Sequence, residues 1–109
     1  MEKLTLSIPA PANINADFAM ICEGDGMINE RIFDGDIVYI RQQDTVENGE
    51  IAAVLVDGKA VLSRVRFLEE GISLESANPK HKPAMFWGEE RDSVQIIGKA
   101  VAFTSAIRR

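Results

Sequence analysis

Asp57-Gly58 separates two runs rich in β-branched and aliphatic residues, Ile51 to Val56 and Lys59 to Val65. A two-residue Asp-Gly link between such runs predicts a type I′ hairpin, because both central residues must adopt positive φ. The same grammar of short apolar runs between turn signals recurs along the chain. Phe18-Ala19-Met20-Ile21-Cys22 ends at Glu23-Gly24-Asp25-Gly26, and Met27 to Ile32 suits a helical turn. Asp34-Gly35-Asp36 is a turn that leads into Ile37-Val38-Tyr39-Ile40, a β-branched and aromatic strand. Asn48-Gly49 opens the run Glu50 to Val56, and Gly71 marks a turn before Ile72 to Glu75. Asn78-Pro79 and Lys82-Pro83 bracket an irregular segment, and Ser93 to Phe103 forms a last long strand interrupted at Gly98. The sum is a mainly β chain with little helix.

Residues 1–16 read as a lead-in, since Pro9, Pro11, Asn13 and Asn15 disfavour regular structure. Residues 17–109 then make one domain, which suits a total of 109 residues. Twelve Lys and Arg against seventeen Asp and Glu leave a net charge of -5. Such a chain is repelled by phosphate backbones, so direct binding of nucleic acid is not expected. The one basic pair, Arg108-Arg109, is no basis for a binding site. No apolar run approaches the roughly 20 residues that span a bilayer. The first residues carry no apolar segment of the signal-peptide type. With a single cysteine, no internal disulfide forms. These features suit a cytoplasmic chain with no membrane partner.

The residues with chemical potential are few. His81 is the only histidine, placed between Lys80 and Lys82 as in a solvated loop, and a metal site needs further His or Cys ligands. Asp34 and Asp36 flank Gly35, but a calcium loop needs more oxygen ligands, so the pair reads as a turn. No metal or cofactor is expected. Cys22 lies in an apolar run and reads as a small buried hydrophobe. Phe86-Trp87-Gly88 reads equally as an exposed patch for a partner or as a loop anchor.

Several stretches in order resemble the C-terminal domains of LexA, UmuD and phage repressors, a family of self-cleaving Ser-Lys peptidases. Glu23-Gly24-Asp25-Gly26-Met27 is similar to their Gly-Asp-Ser-Met loop, and Phe33-Asp34-Gly35-Asp36-Ile37-Val38 to the turn and strand that follow. Gly49-Glu50-Ile51-Ala52-Ala53-Val54 resembles their next strand. Asp57-Gly58 with Ala60-Val61-Leu62-Ser63-Arg64-Val65 resembles the hairpin that bears their lysine. Ser76-Ala77-Asn78-Pro79 with Pro83, and Ile97-Gly98-Lys99-Ala100-Val101, match the remaining pieces. The resemblance covers roughly residues 17 to 108. It implies the LexA-like, signal-peptidase-like fold of coiled, partly barrel-like antiparallel sheets.

In that family a serine attacks a peptide bond upstream, and a lysine kept neutral by burial takes its proton. Here the resemblance puts the serine position at Gly26 and the lysine position at Ser63, 37 positions apart, as in LexA-like dyads. Gly24, Asp25 and Met27 flank the site. Glycine has no nucleophile, and a neutral hydroxyl is a poor base. Removing either dyad partner of a serine peptidase costs about 10⁶-fold in rate. The Ala-Gly or Cys-Gly bond that the family cleaves is absent from the sequence. Ser63 has no base beside it, Lys59 adjoins the hairpin turn, and Lys99 lies at a position that is not catalytic in the family. The expectation is therefore a scaffold without peptidase activity.

What survives is association. The family dimerises through C-terminal strands, which here implies Ile96, Ile97, Ala100, Val101 and Phe103. The implied function is a repressor's homodimerisation domain. DNA would be reached only through a helix-turn-helix absent from these residues. RecA, the inducer of cleavage in the family, is a further implied partner, to whose induction such a repressor would be insensitive. The alternatives are an altered autopeptidase and an UmuD-like polymerase accessory.

Overall fold

The computed structural model describes residues 2–105. Its strands are β1 (Glu2–Pro9), β2 (Phe18–Glu23), β3 (Ile37–Gln42), β4 (Ile51–Val56), β5 (Lys59–Leu68), β6 (Gly71–Glu75), β7 (Ala84–Trp87) and β8 (Val94–Thr104). Helical structure among these residues is limited to two 3-10 stretches, Ile28–Glu30 and Gly88–Ser93. All strand pairings are antiparallel, in the order β1-β2-β3-β8-β4-β5-β6-β7. A further pairing of β1 with β5 closes the first six into a barrel and leaves β6 and β7 as an outlying hairpin. The mainly β, partly barrel-like reading of the sequence holds.

The β4–β5 hairpin forms at Asp57-Gly58, where φ is 50° and 80°, as the type I′ turn requires. The run Ile51 to Val56 is apolar throughout because both of its faces are covered. Ala53 joins Leu4, Met20, Cys22, Met27, Val38, Ile40 and Leu62 in one buried cluster. Ala52 and Val54 point the other way, into a second cluster with Val46, Val65 and Leu74, against which β6 and β7 pack Ile72, Ala84 and Phe86. A strand buried on both sides loses the polar alternation of a half-exposed one.

Gly98, which the sequence marks only as an interruption, is where β8 changes partner. It faces Ala53 of β4 and Gln42 of β3, and a Cβ there would lie 2.5 Å from the Arg41 carbonyl oxygen. Only glycine lets the backbones approach that closely.

One element differs from the sequence reading, and one was not part of it. The lead-in is not irregular throughout: Glu2–Pro9 forms β1, with a bulge between Thr5 and Ile8 where Leu6 takes φ 53°. Its strand structure comes from long-range pairing with β2 and β5, which local proline and asparagine signals do not reveal. Disorder of pattern begins only after Pro9. The segment bracketed by Pro79 and Pro83 is irregular as expected, and after it β7, for which the sequence reading named no element, pairs with β6 from Gly71↔Trp87 to Leu74↔Ala84. Arg108-Arg109 lies outside the described residues. No helix among the described residues is long and apolar enough to cross a membrane.

Candidate active-site cleft

The loop after β2 is held by the turn that precedes β3. The Cys22 N–H donates to the Asp36 carbonyl at 2.8 Å, and the Gly35 N–H donates to the Cys22 carbonyl at 2.7 Å. The Asp34 carboxylate accepts the Gly24 N–H at 2.9 Å, and the buried Asp36 carboxylate accepts the Phe33 N–H at 2.7 Å. Both carboxylates of Asp-Gly-Asp thus bond to backbone, as the turn reading expects. Met27 is fully buried in the barrel cluster and anchors the far side of the loop.

The segment after β6 closes over this loop. The Asn29 N–H donates to the Ala77 carbonyl at 2.8 Å, and the buried Asn78 donates through Nδ2 to the Asp25 carbonyl at 2.8 Å. His81 is not merely solvated: its Nε2 lies 2.7 Å from Asp25 Oδ1. That hydrogen bond is the chief reason the Asp25 carboxyl sits below its ordinary range. The imidazole and carboxylate remain well exposed.

Gly26 bears no side chain, and its neighbourhood is filled by a residue the sequence reading passed over. Glu2, at the start of β1, is only 4% exposed. A Cβ built on Gly26 would lie 2.8 Å from the Glu2 carboxyl carbon and 2.9 Å from its Cγ. One on Gly24 would lie 3.0 Å from the same carboxyl carbon. Burial raises the Glu2 pKa, opposed by the Gly26 N–H that donates to the carboxyl. The second oxygen, Oε2, is buried with no hydrogen-bond partner among the described residues.

Ser63 is fully buried on β5. By strand alternation its side chain shares a face with Val61 and Val65. Its Oγ lies 3.1 Å from the Glu75 carbonyl and 3.2 Å from that of Arg64. Neither is a base that could activate a nucleophile. No hydrogen bond joins Gly26 to Ser63 among the described residues. They are linked through Glu2, whose Cα pairs with Leu62, and through the segment from Glu75 to Asn78.

The other candidates are engaged elsewhere. Lys99 pairs with Glu50 at 2.5 Å, and this ammonium is the main cause of a lowered Glu50 pKa. Lys59 is exposed beside the hairpin turn. Cys22 is fully buried, and burial, reinforced by the surrounding carboxylates, pushes its thiol up to about 12. It is therefore protonated and inert at neutral pH. Arg64 binds the Gly49 carbonyl and forms an ion pair with Glu30. Trp87 is 51% exposed and lies over Gly71, while Phe86 packs on the second cluster.

Of the candidate association residues, Ile96 packs on the second cluster, and Ile97 and Ala100 pack on the first. Phe103 is well exposed. A mostly apolar groove at this end of β8 is lined by Ile32, Val38, Ile51, Val101 and Phe103, with Glu30 also among the lining residues. β4 pairs with β8 only as far as Lys99, so from Ala100 to Thr104 the pairings run to β3 alone.

A closed antiparallel barrel, with a glycine loop packed at its end beside a β-hairpin, is the scaffold of a particular class of peptidase. The family model described as Peptidase S24-like matches residues 2–101. The chain belongs to the S24-like peptidase family. It is 39% identical over 84 residues to a LexA repressor of Thermotoga neapolitana, covering 77% of this chain and 41% of that one. It is 38% identical over 98 residues to a LexA repressor of Granulibacter bethesdensis, covering 88% and 39%. A LexA repressor of Magnetococcus marinus is 36% identical over 85 residues, covering 78% and 36%. The chain thus spans about two fifths of the length of these relatives.

Proposed function

We propose that this chain is the C-terminal dimerisation domain of a LexA-like or phage-type transcriptional repressor, and that it no longer cleaves itself. The observation that carries the reading is the state of the loop at Gly26. Its side-chain space belongs to the Glu2 carboxyl, and the Ser63 hydroxyl at the family lysine position is turned to backbone carbonyls. A Ser-Lys dyad needs a nucleophile within hydrogen-bond reach of its base. Neither partner is available here.

Association is the function left to such a scaffold. The edge of β8 from Ala100 to Thr104, with Val101 and Phe103 beside the apolar groove, offers both unpaired backbone and apolar surface to a second copy. Strand edges of this kind invite pairing with another chain. A homodimer would present two DNA-binding heads to two half-sites, and the gain in affinity comes from effective concentration. The heads would be helix-turn-helix modules outside these residues, which accords with the acidic charge of this domain. The setting is the bacterial cytoplasm, and RecA-induced cleavage of the parent repressor is not expected.

Treatment with a serine-directed fluorophosphonate tests the loss of chemistry. No adduct is expected, and stoichiometric labelling at any serine overturns the reading. Sedimentation equilibrium from micromolar to hundred-micromolar concentration tests association. A monomer–dimer equilibrium weakened by Val101→Asp supports it, whereas a strict monomer throughout removes it.

A further inference from the structure

We propose that Glu2 is an intrasteric plug: its carboxyl occupies the space that a side chain at position 26 needs, and so closes the cleft against any nucleophile there. The inference deepens the reading of Gly26 and Ser63 as the former dyad positions and rests on it for its catalytic consequence. Its steric core stands on geometry alone.

The backbone of Glu2 is set by strand pairing on two sides. Lys3 and Leu4 pair with Glu23 and Cys22 of β2, while Glu2 pairs with Leu62 of β5. Leu4 is buried in the barrel cluster and fixes which face of β1 points inward. Glu2 shares that face by alternation, so its side chain is carried under the Gly24–Gly26 loop. Both glycines direct their missing Cβ positions at the same carboxyl. Gly26 is not in the left-handed region of φ, so its backbone accepts other residues, and the three heavy atoms nearest an added Cβ all belong to Glu2.

The plug is held by position rather than by its own bonding. The carboxyl is buried, gains one N–H from Gly26, and leaves Oε2 without a hydrogen-bond partner among the described residues. Such a group is unfavourable where it lies, and the pairing of β1 on both sides keeps it there. Restoring serine at 26 and lysine at 63 is therefore insufficient to rebuild a reactive serine while Glu2 remains.

The test has two arms, both on the full chain. Thermal unfolding of Gly26→Ala, Glu2→Ala and the double variant forms a double-mutant cycle. Alone, Gly26→Ala is expected to lower the melting midpoint by about 4 °C or more. In the Glu2→Ala background it is expected to be neutral or stabilising, because alanine restricts the unfolded chain. Equal effects in both backgrounds overturn the plug. In the second arm, Gly26→Ser/Ser63→Lys is compared with the same pair plus Glu2→Ala for labelling by a fluorophosphonate at alkaline pH. Labelling at position 26 only in the triple variant is expected, and equal labelling of both overturns the plug's role in closing the cleft. Coupling in the first arm without labelling of either protein in the second upholds the steric plug and instead counts against the dyad assignment.

Discussion

Ser63 and Glu2 are both polar, both buried and both on strands of the same barrel wall, yet their surroundings differ. On the β5–β6 side, the Ser63 hydroxyl finds the Glu75 carbonyl, and the side chains around it belong to a continuous apolar cluster. At the glycine loop, the Glu2 carboxyl has an oxygen without a partner among the described residues, a raised pKa and two glycines against it. The first region is what a fold does with a buried hydroxyl when stability is the only demand: it hydrogen-bonds it. The second keeps an ill-satisfied acid in a cleft, and that kind of local inconsistency concentrates where a scaffold has carried function. The wall at Ser63 thus satisfies its buried polar group, and the glycine-loop end at Glu2 does so only in part.

The largest test of that contrast is Leu62→Ala. Leu62 is fully buried in the barrel cluster directly opposite Glu2 on the β1–β5 ladder. Its truncation is expected to destabilise by about 2–5 kcal/mol in denaturant titrations. A loss below about 1 kcal/mol would show that the wall next to the cleft is loosely packed, and the contrast would fail. Asn78→Ala comes next, at about 1–3 kcal/mol. The residue is buried, donates to the Asp25 carbonyl and accepts the Lys80 N–H, so it ties the post-β6 segment to the glycine loop. Faster proteolysis near residues 24–27 in this variant would accompany the loss, whereas unchanged stability would mean that the loop stands without the tie. Ser63→Ala is smaller, about 1 kcal/mol, since one neutral hydrogen bond is lost and a small void is left.

The elements that local chemistry dictates were legible in the sequence. Asp57-Gly58 required its hairpin, and Ile37 to Ile40 required a strand, because φ preferences and β-branching act within a few residues. What depended on distant partners was not. Ala84 to Trp87 is short and follows two prolines, and it becomes a strand only because β6 offers a ladder. Glu2 looked like part of a loose leader because its role depends on pairing with Leu62, far along the chain. His81 is solvated as its sequence neighbours suggest, and what they do not reveal is its partner, Asp25, 56 positions away. Gly26 and Ser63 stand out only through the resemblance, which implies that they occupy the family's dyad positions. The occupant of the space beside Gly26 was visible only in three dimensions. Ile96 and Ile97 are implied by the resemblance as part of a dimerising strand, and sequence does not show that both also pack on the two clusters while Phe103 stays exposed.

The smallest expected effect is also the most selective, because the carboxyls around the loop titrate with opposite consequences. Asp25 has a lowered folded pKa, so its contribution is present above its ordinary value of 3.8 and fades as pH falls through the lowered one. Glu2 has a raised folded pKa. Below 4.5 it is protonated in folded and unfolded chains alike and exerts no pH dependence. As pH rises past that value the unfolded chain ionises first, and stability declines until the raised folded pKa is passed. Glu2→Gln removes this decline while keeping the size of the side chain and its acceptor for the Gly26 N–H. The difference in stability between wild type and Glu2→Gln should therefore shift in favour of the variant from mildly acid toward neutral pH. Asp25 and His81 act on the Glu2 carboxyl through their charge, so their coupling to it is part of the difference. A difference that is flat across that range would mean that the Glu2 carboxyl is solvated, and the distinction between the two regions would dissolve at its most exposed point.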